Sequence, residues 1–409
     1  MRIIGMMNSN IRERDRYLSI LLVVHLSLMC CKNLFVSSTF VYKYNSLLNI
    51  LCLIILCVMY LDYFVRLGGW KHLKKNVFVV LFAVFAFWLF SFCFDQNLFI
   101  CDVHPYSYVR KNALLFLSYG LPLFLVSGSI EDFSYVKELI FKAADIIFYV
   151  VIVTFFISLT SYGLAQTASS SYSMSYGNNV LLCCAFMCFK YVYTRNFINI
   201  IKVLIMSVII FVVASRGPLV SIVALLVYVL FLIDKKNNKE IIRNFCIIIL
   251  LLCVCIFYEN IINILIVIFD KFDLSSRTLI LMTQGALLEH DSGRSWYHST
   301  LIEAINESPF LGLGAFGGEK TVGLSHSFYL DIFGNFGYIG GTVYFCWLFY
   351  SMISLYRKKT NSVFVQFMMI NALILFPRGF FDDNLWGVDT IWIIMGILIN
   401  PKVNNFSES

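Results

Sequence analysis

Arg216 stands in Ser215-Arg216-Gly217-Pro218, between two long apolar runs. Pro218 suits the first turn of a following helix, and Gly217 permits close backbone approach. A guanidinium at such a junction either snorkels to an interface or, in a cleft, needs an anion. A second constellation runs from Asp291-Ser292-Gly293-Arg294-Ser295-Trp296 through Ser308-Pro309-Phe310-Leu311-Gly312-Leu313-Gly314 to Leu324-Ser325-His326-Ser327. Arg294 falls in the first turn of a helix, the wrong end to compensate its dipole. Helix stability does not explain it, whereas a ligand would. Arg277, in Leu274-Ser275-Ser276-Arg277-Thr278, repeats the arrangement earlier. Solvated loop arginines are the plainer account of both. His326 marks the return of the chain to an apolar run. Its imidazole could take a proton from a sugar hydroxyl, donate to a phosphate, or simply cap a helix. Arg378, in Pro377-Arg378-Gly379-Phe380, could complete an anion cage. A lipid diphosphate is the anion that such arginines grip in a bidentate manner.

Carboxylates near these positions are sparse: Asp95, Asp102, Asp291, Glu303, Glu307, Glu319, Asp331, Asp382 and Asp383. Asp291 and Glu303 are secondary candidates for contact with substrate. His25, His72, His290 and His298 show no metal-ligand spacing. The His-Glu-x-x-His, paired Cys-x-x-Cys and P-loop patterns are all missing, which argues against zinc proteolysis and ATP-driven work. No cofactor or metal is expected.

The elements that must position these residues are membrane helices. The chain is 60% hydrophobic and 13% charged, with mean hydropathy +0.81, whereas a soluble domain is roughly half apolar and a quarter charged. The 40 Phe and 23 Tyr against only 6 Pro favour long apolar helices, and continuous runs exclude the alternation of an outer-membrane barrel. The net charge of +7 is spread over short runs between apolar segments, so nucleic acid is not an expected partner. The 13 Cys lie mostly inside apolar stretches, among them Cys183, Cys184, Cys246, Cys253 and Cys255, and read as packing residues. Cys93 and Cys101 are close enough in the chain to pair.

With about 20 residues needed per span, apolar windows fall at 17–35, 46–64, 76–94, 112–129, 144–162, 178–193, 198–215, 217–233, 244–267, 328–354, 362–377 and 386–400. The expectation is an all-α, polytopic integral membrane protein with about 12 transmembrane helices, forming one multi-span domain over 1–409. The basic start through Arg16 leads into a retained first span. Arg66, Lys71, Lys74, Lys75, Lys137, Lys142, Arg195, Lys202, Lys235, Lys236, Lys239, Arg243, Arg357, Lys358 and Lys359 cluster in or beside alternate loops. The positive-inside rule then places both termini in the cytoplasm. The largest non-spanning stretch, 268–327, is expected outside as a late loop with short helices near 275–289 and 295–307 and a Gly-rich turn over 312–323. Trp296, Leu301, Ile302 and Ile305 give the second helix an apolar side.

These residues resemble the O-antigen polymerase and O-antigen ligase superfamily. The resemblance rests on Ser292-Gly293-Arg294, on Pro309 with Gly312 and Gly314, on His326-Ser327, on Gly337-Tyr338-Ile339-Gly340 and on Arg216-Gly217. It covers about 290–341 and 214–218; the usual Asn after the histidine is Ser327 here. The resemblance implies a class C-like glycosyltransferase architecture in the bacterial inner membrane, with a large late periplasmic loop and the active site facing the periplasm. It implies a metal-independent transferase taking glycan from undecaprenyl diphosphate. Arg216 and Arg294 would hold the donor diphosphate, and His326 would position or deprotonate the acceptor hydroxyl. Arg277, Arg378, Gly217, Gly293, Asp291 and Glu303 would line the substrate. Implied partners are a lipid-linked oligosaccharide donor and acceptor, membrane lipids, a chain-length regulator and a flippase.

Polymerisation of repeat units is the favoured reading, because the chain resembles the phenylalanine- and cysteine-rich, proline-poor polymerases of bacterial surface polysaccharides. Ligation of the glycan to lipid A-core is the alternative. A polysaccharide flippase would also account for many spans and basic residues, but not for a long outer segment clustering Arg, Gly and His.

Overall fold

A computed structural model describes residues 2–37, 44–66, 75–98, 105–170, 174–212, 216–232, 263–264, 267, 294–359, 362–381 and 383–400. Among them the fold is all helix, with no strand. The helices are α1 (Arg2–Ser37), α2 (Asn45–Arg66), α3 (Lys75–Phe94), α4 (Tyr106–Leu115), α5 (Leu121–Ser129), α6 (Ser134–Ser170), α7 (Met174–Thr194), α8 (Ile198–Val212), α9 (Arg216–Val227), α10 (Arg294–Glu307), α11 (Gly317–Val322), α12 (Phe328–Lys359), α13 (Val363–Arg378) and α14 (Asp389–Ile399). A π-helical turn, Phe116–Gly120, joins α4 to α5 directly in front of Pro122. The wider turn absorbs the backbone donor that proline lacks.

Among the described residues six helices are long and apolar enough to cross a membrane: Arg12–Val36, Asn45–Val65, Lys75–Phe94, Tyr106–Ser129, Ser134–Ile157 and Phe328–Lys358. The chain is thus a polytopic membrane protein, but the expectation of about 12 spans in a class C-like arrangement is overturned. The reason is where the backbone stops. Ile198–Phe211, Gly217–Phe231, Val363–Arg378 and Asp389–Ile399 are apolar but fall in a class of 10–17 residues. At about 1.5 Å per residue none reaches a hydrocarbon thickness of about 30 Å. A composition window runs through helix ends: the 386–400 window counts Trp386, which belongs to a loop and is buried against other aromatics. The 244–267 window lies almost wholly outside the described residues, as do the helix expected near 275–289 and Cys101.

The lipid-facing character of α2 is direct. Leu47, Ile50, Ile54, Val58, Leu61 and Val65 are all more than half exposed and recur at helical spacing. Such a stripe is stable only where the surrounding solvent is itself apolar.

The chain forms two compact units. The first comprises Met1–Ser27, Ile50–Ile140 and Gly293–Ser409. In it α14 packs on α5 and α13, while α10 and α11 pack on α12. Trp88, Phe116, Phe316, Trp386 and Trp392 form a continuous aromatic centre, with ring centroids 4.6–5.9 Å apart. Arg14 ion-pairs with Asp15 and Glu131, both at 3.0 Å, fastening α1 to the turn before α6. The second unit comprises Leu28–Asn49 and Phe141–Ser292, with α7, α8 and α9 packed together. Cys183, Cys184 and Cys188 are buried in α7, as small apolar side chains would be.

Candidate functional site

Leucine and isoleucine spacing decides how α10 lies. Leu301 and Ile305 are fully buried and pack with Val322, against Tyr297, Leu313, Leu330 and Phe333. Trp296 and Ile302, expected on the same apolar side, are 59% and 39% exposed. The buried stripe is therefore Tyr297, Leu301 and Ile305, at the spacing of one helix face. Arg294 opens α10 one turn before Tyr297, and the Tyr297 ring meets His326 edge-on at 5.5 Å between centroids. The fold thus brings the first turn of α10 beside the segment that leads into α12. His326 has φ 51°, in the left-handed region that few non-glycine residues occupy and that clusters at functional sites.

The Pro309–Gly314 part of the turn between α10 and α11 is seated on α12 by backbone hydrogen bonds. The expected single span 328–354 is broken at Gly337, with φ 68° and ψ 179°. In an uninterrupted helix Tyr338 N–H would donate to Gly334 C=O. Here Tyr338 N–H donates to Pro309 O at 2.7 Å, and Gly334 O accepts from Leu313 N–H at 2.8 Å. One helical bond is exchanged for two to the Pro309–Gly314 turn, so the break leaves neither group unsatisfied. A Cβ on Gly337 would stand 2.6 Å from both Gly312 N and Phe310 O. The two glycine motifs recognised separately in the sequence are the two faces of this contact.

Below the turn lies a polar seam. Asn335 Oδ1 accepts from Phe316 N–H at 2.8 Å and from Trp386 Nε1–H at 2.9 Å, and Asn335 Nδ2 donates to Asp331 O at 2.7 Å. Asp331 Oδ2 accepts from Leu385 N–H at 2.8 Å. Glu319 Oε1 accepts from Asn112 Nδ2 at 3.0 Å. Burial first, and the neighbouring Asp331 charge second, push the Glu319 carboxyl well above the usual carboxylate range. Lys320, beside it, is 4.0 Å from Asp95, and burial lowers its ammonium pKa. Sequence reasoning placed Glu319 and Asp331 only in an inventory of acids and passed over Asn112, Asn335 and Tyr297. Nothing in their spacing marks them, because they meet through tertiary packing.

The other candidates fall as follows. Arg378 ends α13 and is buried, with Nε 2.7 Å from Asp383 Oδ2. Glu303 is exposed on the outer face of α10. Arg216 opens α9 in the second unit and Gly217 is buried, but the Arg216 side chain is not among those described. Arg277, Asp291 and Gly293 lie outside the described residues. Among the described residues, no three of His, Cys, Asp or Glu gather as a metal site.

A family model described as O-antigen ligase matches residues 201–345, which include Arg216, Arg294, the Pro309–Gly314 turn and His326. No curated protein matches the chain. Over 201–345 the chain is similar to the O-antigen ligase family, within a polytopic membrane protein.

Proposed function

We propose that this protein is a glycosyltransferase that takes glycan from a polyprenyl diphosphate carrier at the periplasmic face of the bacterial inner membrane. The observation that carries the reading is the placement of Arg294 one turn from the Tyr297 ring that meets His326. Arg294 holds the donor diphosphate. His326 takes the proton of the acceptor hydroxyl. The freed oxygen attacks the anomeric carbon, the sugar–phosphate bond breaks, and its electron pair leaves on the diphosphate, stabilised by the Arg294 guanidinium. Displacement from the face opposite the leaving group inverts the anomeric centre. The linkage itself is the activated bond, so the step needs neither nucleotide nor metal.

The matched family is described as ligase. That favours transfer of finished glycan to lipid A-core over the polymerisation suggested by composition. The deciding experiment compares carrier-linked and surface glycans in cells with wild type or Arg294→Ala at matched protein level. Long chains that accumulate on the carrier and never reach lipid A-core establish ligation. Single repeat units on the carrier establish polymerisation instead. Unchanged glycans in both pools would remove the transferase reading.

A further inference from the structure

Glu319 on α11 and Asp331 on α12 are 1% and 0% exposed. Each has one oxygen satisfied by a neutral donor, Asn112 Nδ2 for Glu319 Oε1 and Leu385 N–H for Asp331 Oδ2. The remaining two, Glu319 Oε2 and Asp331 Oδ1, are buried with no hydrogen-bond partner, and the Asp331 charge acts directly on the Glu319 carboxyl. Gly318 leaves room for this approach: a Cβ there would collide with Asp331 Oδ1. Two facing carboxylate oxygens repel, and burying both charges unpaired is costly. A proton between them removes the repulsion and completes both hydrogen-bond sets.

Among the described residues no nearby cation does this instead. Lys320 on α11 lies toward Asp95, and Arg378 at the end of α13 toward Asp383. Arg110 and Lys111 flank Asn112 on α4 but are exposed. On α10, Glu303 and Glu307 are exposed and His298 is half-buried. Asp389 opens α14 and adds only negative charge. His326 precedes α12, with its ring against Tyr297. Among the described residues, none of these cations is ion-paired with Glu319 or Asp331.

We propose that Glu319 and Asp331 hold a single proton between Glu319 Oε2 and Asp331 Oδ1, and that this shared proton clamps α11 to α12 and so positions His326, which lies between them in the chain. Glu319 carries the proton and donates it to Asp331. Because the native Glu319 carboxyl titrates above its ordinary value of 4.5, the clamp's stabilisation is complete below that value. It is lost as pH rises through the raised native value. Rising pH therefore opens the clamp by leaving two facing charges.

The test uses the purified full-length chain in lipid nanodiscs, with Glu319→Gln and Glu319→Ala. The glutamine amide donates to Asp331 as the protonated acid does, but cannot titrate. Wild-type Tm is expected to fall as pH rises above 4.5, Glu319→Gln to stay flat, and Glu319→Ala to be lower throughout. Infrared difference spectra of the wild type should contain a protonated-carboxyl band that Glu319→Gln lacks. A Glu319→Gln protein as unstable as Glu319→Ala, or a wild-type Tm that does not fall at any pH above 4.5, overturns the shared proton. So does a saturable rise in wild-type Tm with sodium at fixed pH, which would assign the pair to a metal cation.

The positioning role rests on the transferase reading and is read from activity. Glu319→Ala should lower kcat about 10²-fold, the size of a misplacement of about 1 Å, with Glu319→Gln restoring it and extending activity to higher pH. If no variant, wild type included, transfers glycan, the transferase reading fails while the Tm and infrared results still judge the proton.

Discussion

In the second unit Asp145 of α6 accepts from both Lys190 and Lys202, the latter at 2.7 Å, and the Lys202 ammonium also lies 5.1 Å from the centre of the Phe148 ring. In the first unit Glu319 lies beside Asp331, with no cation among the described residues on either. The Asp145 cluster remains in contact with solvent, its carboxylate 37% exposed; the carboxyl pair is sealed. An exposed, opposite-charge cluster is a fastening that contributes modestly. A sealed like-charge pair is stable only in one protonation state, so it couples the fold to pH. It also spans the segment bearing His326, where the matched family and the backbone strain coincide.

The strongest way to break this contrast is His326→Asn, since asparagine tolerates the left-handed backbone while removing the base. The transfer rate should fall about 10²–10⁴-fold with Tm unchanged; an active variant would leave the first unit with no chemical role for its strained histidine. Next comes Gly337→Ala, which tests whether the turn is seated by backbone contact. Overpacking and a left-handed alanine should together cost about 2–4 kcal/mol, read as lost folded protein or a lowered Tm. A well-folded Gly337→Ala protein would mean that the turn is held elsewhere. The smallest effect is expected in the second unit. Asp145→Asn should lower Tm by about 2–4 °C and leave the transfer rate alone. A large loss of activity there would erase the distinction between the two regions.

Much of the first unit is legible in the sequence. The helix expected over 295–307 is Arg294–Glu307, ended before Pro309 as a helix-breaking sequence requires. The Pro-x-x-Gly-x-Gly and Gly-Tyr-Ile-Gly motifs were visible as motifs, yet their mutual contact was not. It depends on the dihedral break at Gly337, for which no local signal exceeds that of an ordinary glycine in a span. Likewise the acids that matter most for the seam, Glu319 and Asp331, look unremarkable in the chain. Arg378, read as a cage member, is held by Asp383 only because the loop after α13 turns back on itself.

By itself the sequence determined that this chain lives in a bilayer, that its backbone is helical, and that arginine, glycine and histidine gather late in it. Composition suffices for that, because hydrocarbon forces every buried backbone group into helical hydrogen bonds. Helix ends, and hence the six membrane-length helices among the described residues rather than about twelve, were decided by tertiary structure. So was the pairing of the two buried carboxyls. Where a helix stops and which side chains meet depend on partners distant in the chain, and a window of neighbours carries no information about them.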